Sequence, residues 1–110
     1  MKNHGLKFDN QKLQWCLLPL KLLTGVVKIL TFGAKKYDRN SWQNLDNGSE
    51  RYFNALIRHL TAMQDETGNI NLNALDPESN HPHLWHVQTN AIFLEHFRQK
   101  AEIKQRRAER

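Results

Sequence analysis

Leu22, Leu23, Val26, Val27 and Leu30 recur at i, i+1, i+4, i+5 and i+8, the stripe of an amphipathic helix. Pro19 suits the first turn of such a helix, and Gly33 stands where it is expected to stop. A second stripe, Phe53, Leu56, Ile57, Leu60 and Met63, follows Ser49, a good N-cap, and gives out before Gly68. A third helix is expected to start near Asn80 and to carry Leu84, Val87, Ala91, Leu94 and Ile103. No alternating Val/Ile-rich run competes for a strand, and no segment repeats. The pattern predicts an all-α fold, a small bundle of about three main helices.

Three helices totalling about 60 residues make a thin bundle. Trp15, Trp42, Trp85, Phe93 and Phe97 add more large apolar surface than it can bury. A homo-oligomer, a dimer or larger, that completes a four-helix-type core is the expected solution.

The polar positions are patterned too. Arg51, Arg58 and Asp65 are spaced by seven on one side of the second helix, with His59 and Glu66 as a parallel pair. Between Phe32 and Gly48 runs a stretch too polar for a core strand and too rich in Lys, Arg, Asn and aromatics for a spacer.

At 110 residues a single domain is expected. No run of about 18 apolar residues suggests a membrane span, and Met1 to Asp9 is too polar for a signal peptide. The lone Cys16 cannot form an internal disulfide, which fits a reducing cytoplasm. Its apolar neighbours, Trp15 and Leu17, suggest a buried thiol. The net charge of +5 hints at nucleic acid until it is divided. Residues 98–110 hold six of the sixteen Lys/Arg and two of the eleven acids, so +4 lies in the tail and only +1 in the rest. The chain therefore reads as a domain over 1–97 and a basic helical tail over 98–110. That tail is a solvated helix end whose cations complement the macrodipole. Nucleic-acid contact through it is the less favoured reading.

Chemistry concentrates between Leu75 and Asn90. Asp76, Glu78 and His81 lie in the turn that feeds His83, His86 and Asn90, which share one helical face at i, i+3 and i+7. Imidazole and carboxylate converging at a helix start suit divalent-metal binding or acid–base work. Arg51 and Arg58 stand near Asp65 and Glu66, and the stretch Lys35-Lys36-Tyr37-Asp38-Arg39-Asn40 is placed to close over them. Basic groups beside a metal-capable acidic cluster are what a nucleoside triphosphate requires. The bland alternative is surface ion pairing of Arg51 with Asp65 and of Arg58 with Glu66.

Three blocks resemble the phage dATP/dGTP diphosphohydrolase family, relatives of the all-α MazG-type nucleotide pyrophosphatases. The first is Lys7-Phe8-Asp9 with Lys12 and Leu17-Leu18-Pro19. The second is Leu30-Thr31-Phe32-Gly33-Ala34-Lys35-Lys36-Tyr37 followed by Arg39-Asn40-Ser41-Trp42. The third runs from Arg51 through Ala55, Arg58-His59 and Ala62 to Asp76-Pro77-Glu78-Ser79, His83-Leu84, His86 and Asn90. The resemblance implies a metal-dependent enzyme that cleaves purine deoxynucleoside triphosphates between the α and β phosphates. The products would be monophosphate and pyrophosphate, in the host cytoplasm, adjusting a phage's nucleotide pool.

In that light Glu66, Asp76 and Glu78 become candidate catalytic groups. Lys35, Lys36, Arg39, Asn40, Trp42, Arg51, Arg58 and Asn90 become candidate substrate contacts. His59, Glu78, His83 and His86 become candidate ligands for a divalent ion, Mg²⁺ or Mn²⁺ first, with Zn²⁺ suggested by the histidines. Two departures stand out. The Glu-Glu-x-x-Glu and Glu-x-x-Asp helices of MazG-type enzymes are missing, and Asn80-His81 stands where similar sequences place a glycine turn. A non-catalytic phage protein that binds or sequesters a nucleotide is the alternative, since it needs the cations and aromatics without the ion.

Overall fold

The computed structural model describes residues 12–109, so the Lys7-Phe8-Asp9 part of the first block lies outside the described residues. Three helices carry the fold: α1 (Thr24–Lys36), α2 (Gly48–Thr61) and α3 (His83–Ala108). Single 3-10 turns occupy Trp15–Leu17, Leu20–Leu23 and Ser41–Asn44. Among the described residues there is no strand, only two isolated bridges, Gln64 with Ile70 and Leu75 with Pro82. The all-α expectation holds.

α2 and α3 are antiparallel and form the main contact. Gly48 at the start of α2 meets Phe97, Tyr52 lies against Phe93 and Phe97, and His59 near its end lies against His83 and His86. α1 crosses the early part of α3, with Gly25 against the Trp85 ring and Lys28 over it at 5.4 Å. Its far end reaches the loop before α3, where Phe32 meets His81 edge-on and Lys36 pairs with Glu78.

The boundaries differ from the sequence reading in instructive ways. Gly33 does not end α1: the helix runs on to Lys36, and the Tyr37 N–H closes onto the Gly33 carbonyl at 2.7 Å. Lys35 and Lys36 thus fill the last turn, where cations are favoured. Pro19 precedes a 3-10 turn rather than α1 itself. Asn47, left-handed at φ 55°, occupies the cap position of α2, with Ser49 inside the first turn. α3 begins at His83, three residues beyond Asn80. It then runs unbroken through position 97, and the tail from Arg98 onward is exposed.

The buried faces also moved. α1 buries Gly25, Val26 and Ile29, whereas Leu22 and Val27 of the expected stripe are 67% and 57% exposed. The reason is Gly25: a Cβ there would fall 2.4 Å from the Trp85 ring, so the closest approach is set by the residue with no side chain. On α2 the expected stripe is uncovered at Phe53, Ile57 and Leu60, while the side facing α3 carries Gly48, Tyr52 and His59. Cys16, expected to be buried, is exposed in a 3-10 turn that buries nothing. The buried apolar side chains among the described residues are Val26, Ile29 and Met63. No described helix is long and apolar enough to cross a membrane.

Candidate functional site: a histidine–carboxylate cluster between α2 and α3

The loop before α3 is built around Asp76. Its backbone N–H donates to the His81 carbonyl at 2.8 Å, and its own carbonyl accepts from the Asn80 N–H at 2.8 Å. Its carboxylate oxygen Oδ2 accepts the Ser79 N–H at 2.8 Å, the local turn that Asx residues favour. Asn80 completes the loop at φ 59°, a left-handed conformation that asparagine tolerates almost as glycine does. A non-glycine residue thus takes the turn at Asn80. The His83 N–H, at the first helical position, donates to the Ala74 carbonyl and anchors α3 to the loop.

Three elements then converge. His59 from the last turn of α2 shares a 2.8 Å hydrogen bond with His83, Nδ1 to Nδ1. His86, one turn along α3, stacks on His59 with centroids 4.3 Å apart and planes 7° off parallel. Its Nε2 shares a 2.7 Å hydrogen bond with the Ser79 hydroxyl and lies 3.8 Å from Asp76. His59, Asp76 and His83 each offer one ligand atom, all within 4.8 Å of one another.

Burial favours the neutral form of His59 and His86. Burial, with the neighbouring His86 ring adding to it, pushes His59 down to about 4. Burial also lowers His86, against the pull of Asp76. Burial works against charge on Asp76 as well, but hydrogen bonds from Ser79 and the neighbouring histidines hold its carboxyl below the usual range. At pH 7 the Asp76 anion therefore faces neutral His59 and His86 rings, so His86 and Asp76 are not an ion pair there. Two imidazole nitrogens and a fixed carboxylate are donors a divalent ion can use, and the three atoms are close enough to share one. The cluster therefore fits a metal.

The other candidates are distributed unequally. Glu78 is exposed and pairs with Lys36; it is not one of the His59–Asp76–His83 set, though its charge reaches His86. Arg58 is exposed beside His59, near enough for its charge to lower that ring. Arg51 lies two turns earlier on α2, exposed, while Lys35, Arg39 and Asn40 are exposed around the end of α1 and the segment after it. Glu66 is exposed in the turn after α2, and no ion pair joins Arg51 to Asp65 or Arg58 to Glu66. Asp65 instead accepts from the Thr67 hydroxyl and from the Thr67 and Asn69 N–H groups. Asn90 is buried and donates to the His86 carbonyl at 2.8 Å. Trp42 is stacked on Phe93 at 4.2 Å and meets His96 edge-on, about 10 Å along α3 from His86 at 1.5 Å per residue. Ser79 was not singled out from the sequence. It is buried and ties Asp76 to His86, a role that its place three residues after an Asp-Pro could have suggested.

A small helical bundle with a histidine–carboxylate cluster where two antiparallel helices meet a structured loop defines a class of protein rather than a single one. Sequence comparison supplies the family: a profile described as "dATP/dGTP diphosphohydrolase, N-terminal" matches residues 2–107, and the chain belongs to that family. A Salmonella phage PMBT28 protein named dATP/dGTP diphosphohydrolase is 29% identical over 90 residues. The match covers 82% of this chain but 28% of the relative, so the chain spans little more than a quarter of that protein's length. No solved structure matches.

Proposed function

We propose that this domain carries the catalytic site of a metal-dependent nucleoside triphosphate diphosphohydrolase acting on dATP or dGTP. The family and the relative's name support the reaction class. The observation that carries the reading is the His59–Asp76–His83 cluster, rimmed by Lys36 and Arg58.

His59, Asp76 and His83 would hold the ion, which when bound neutralises phosphate oxygens and polarises water. Ser79 fixes the Asp76 carboxylate from one side. Arg58 and Arg51 on α2, with Lys35, Lys36 and Arg39 around the end of α1, bind the remaining phosphate charge. Lys36 turns from Glu78 to the phosphate, and the freed Glu78 takes the proton of the attacking water. Water adds at the α phosphorus, the bond to the bridging oxygen breaks, and the pair of electrons leaves with pyrophosphate. Phosphorus NMR of dGTP incubated with the protein tests this. The reading expects dGMP and pyrophosphate in equal amounts, and dGDP with inorganic phosphate would overturn it.

We further propose that the bundle is completed by a second copy of the chain. Phe53, Ile57 and Leu60 on α2, Val27 on α1 and Leu22 in the turn before it present apolar surface that three buried core residues do not account for.

A further inference from the structure

We propose that the His59–Asp76–His83 site is selective for a late first-row transition ion of the Zn²⁺ or Co²⁺ kind over Mg²⁺. The inference rests on the ion-binding part of the functional reading and deepens it by naming the chemical class of the ion.

The argument is a census of donors. Two of the three converging ligand atoms are imidazole nitrogens and one is a carboxylate oxygen. Imidazole is a borderline donor that suits Zn²⁺, Co²⁺ and Ni²⁺, whereas Mg²⁺ is a hard ion bound by carboxylates, phosphates and water. A magnesium site draws on carboxylates, phosphates and water, and here imidazoles outnumber carboxylates in the converging set two to one. Glu78 pairs with Lys36 on α1. Asp65 accepts three hydrogen bonds within its own turn. Among the described residues, Asp76 is the one carboxylate in the converging set.

The surroundings fix these donors in place. His59 and His83 already point the same kind of nitrogen at each other across 2.8 Å, so an ion can take the place of the shared proton once the two rings part slightly. His86 lies flat on His59 and restricts its ring rotation. Ser79 holds one oxygen of Asp76 through its N–H and steadies His86 through its hydroxyl. A ligand carboxylate held in this way by an outer hydrogen bond is typical of transition-metal centres. Four of these five residues lie within one loop and the first turn of α3, so the site is preformed except for His59 on α2.

The test uses the intact chain, freed of metal and titrated with Co²⁺. One equivalent is expected to give visible ligand-field bands, to be displaced by one equivalent of Zn²⁺, and to resist a Mg²⁺ excess on the order of 100-fold. His59→Ala and Asp76→Asn should each weaken Co²⁺ binding by about 100-fold or more, with helicity followed by circular dichroism. Should either variant unfold, proton NMR of the unaltered Co²⁺ protein decides: two strongly shifted, exchangeable imidazole N–H signals are expected. Their absence, or displacement of Co²⁺ by equimolar Mg²⁺, overturns the proposal. Pyrophosphate release with Mg²⁺ and no Co²⁺ bands would remove this proposal and leave the hydrolase reading standing. Tight Co²⁺ binding without pyrophosphate release would do the reverse.

Discussion

His59 and His83 meet Nδ1 to Nδ1 at 2.8 Å across the α2–α3 crossing. Two protonated rings cannot share that geometry, because like charges would face each other with both nitrogens donating. The contact requires at least one neutral imidazole, and the antiparallel packing of α2 on α3 imposes it.

Stability should therefore depend on pH in a defined window. His59 is pushed from about 6.5 to about 4 in the folded chain, so the unfolded state binds the proton first as pH falls. Its contribution to stability is whole above pH 6.5 and is lost as pH drops through about 4, with His86, also lowered, acting in the same sense. Denaturant midpoints followed by circular dichroism should be flat from pH 8 to 7 and fall below 6.5. His59→Phe, which keeps a ring without a proton site, should flatten that fall.

Glycine substitutions should separate the two roles glycine plays in α1. Gly25→Ala drives a methyl into the Trp85 ring and should destabilise by about 1–3 kcal/mol. Gly33→Ala meets nothing within 4 Å in mid-helix and should stabilise by about 0.5–1 kcal/mol. Thermal denaturation of the two variants measures both signs, and a stabilised Gly25→Ala would refute the close α1–α3 approach.

The helix count and type were legible because hydrophobic spacing encodes them directly. Which side of each helix is covered was not. Leu22, Val27 and the Phe53-Ile57-Leu60 stripe look like core by spacing, but the observed contacts run through Gly25, Gly48, Tyr52 and His59. A small residue that permits close approach is silent in a hydrophobicity pattern. Asp76, His83 and His86 could be placed together from the sequence since one loop and one helical turn hold them. The pairing of Glu78 with Lys36 could not, because it depends on how α1 crosses α3.

The uncovered stripes make a prediction about assembly. Light scattering at micromolar concentration should show a dimer or larger species. Ile57→Glu, which puts charge on the exposed α2 stripe, should shift it toward monomer. A monomeric parent chain would contradict completion of the core by a second copy.

Arg58 tests substrate contact. It stands beside His59 with no acidic partner among the ion pairs of the described residues. Arg58→Ala should weaken dGTP binding by about 1.5–3 kcal/mol, the range for hydrogen bonds to charged groups. Calorimetric titration reads this directly, and unchanged affinity would make Arg58 a surface cation only.

The most direct measurement is pyrophosphate release from dGTP and dATP, with divalent ion and with chelator, comparing the parent chain with Asp76→Asn. The account predicts release that chelation abolishes and that Asp76→Asn lowers by about 100-fold or more, the upper end of what changes around a metal site cause. Release that survives chelation, or an Asp76→Asn variant as active as the parent, would contradict it.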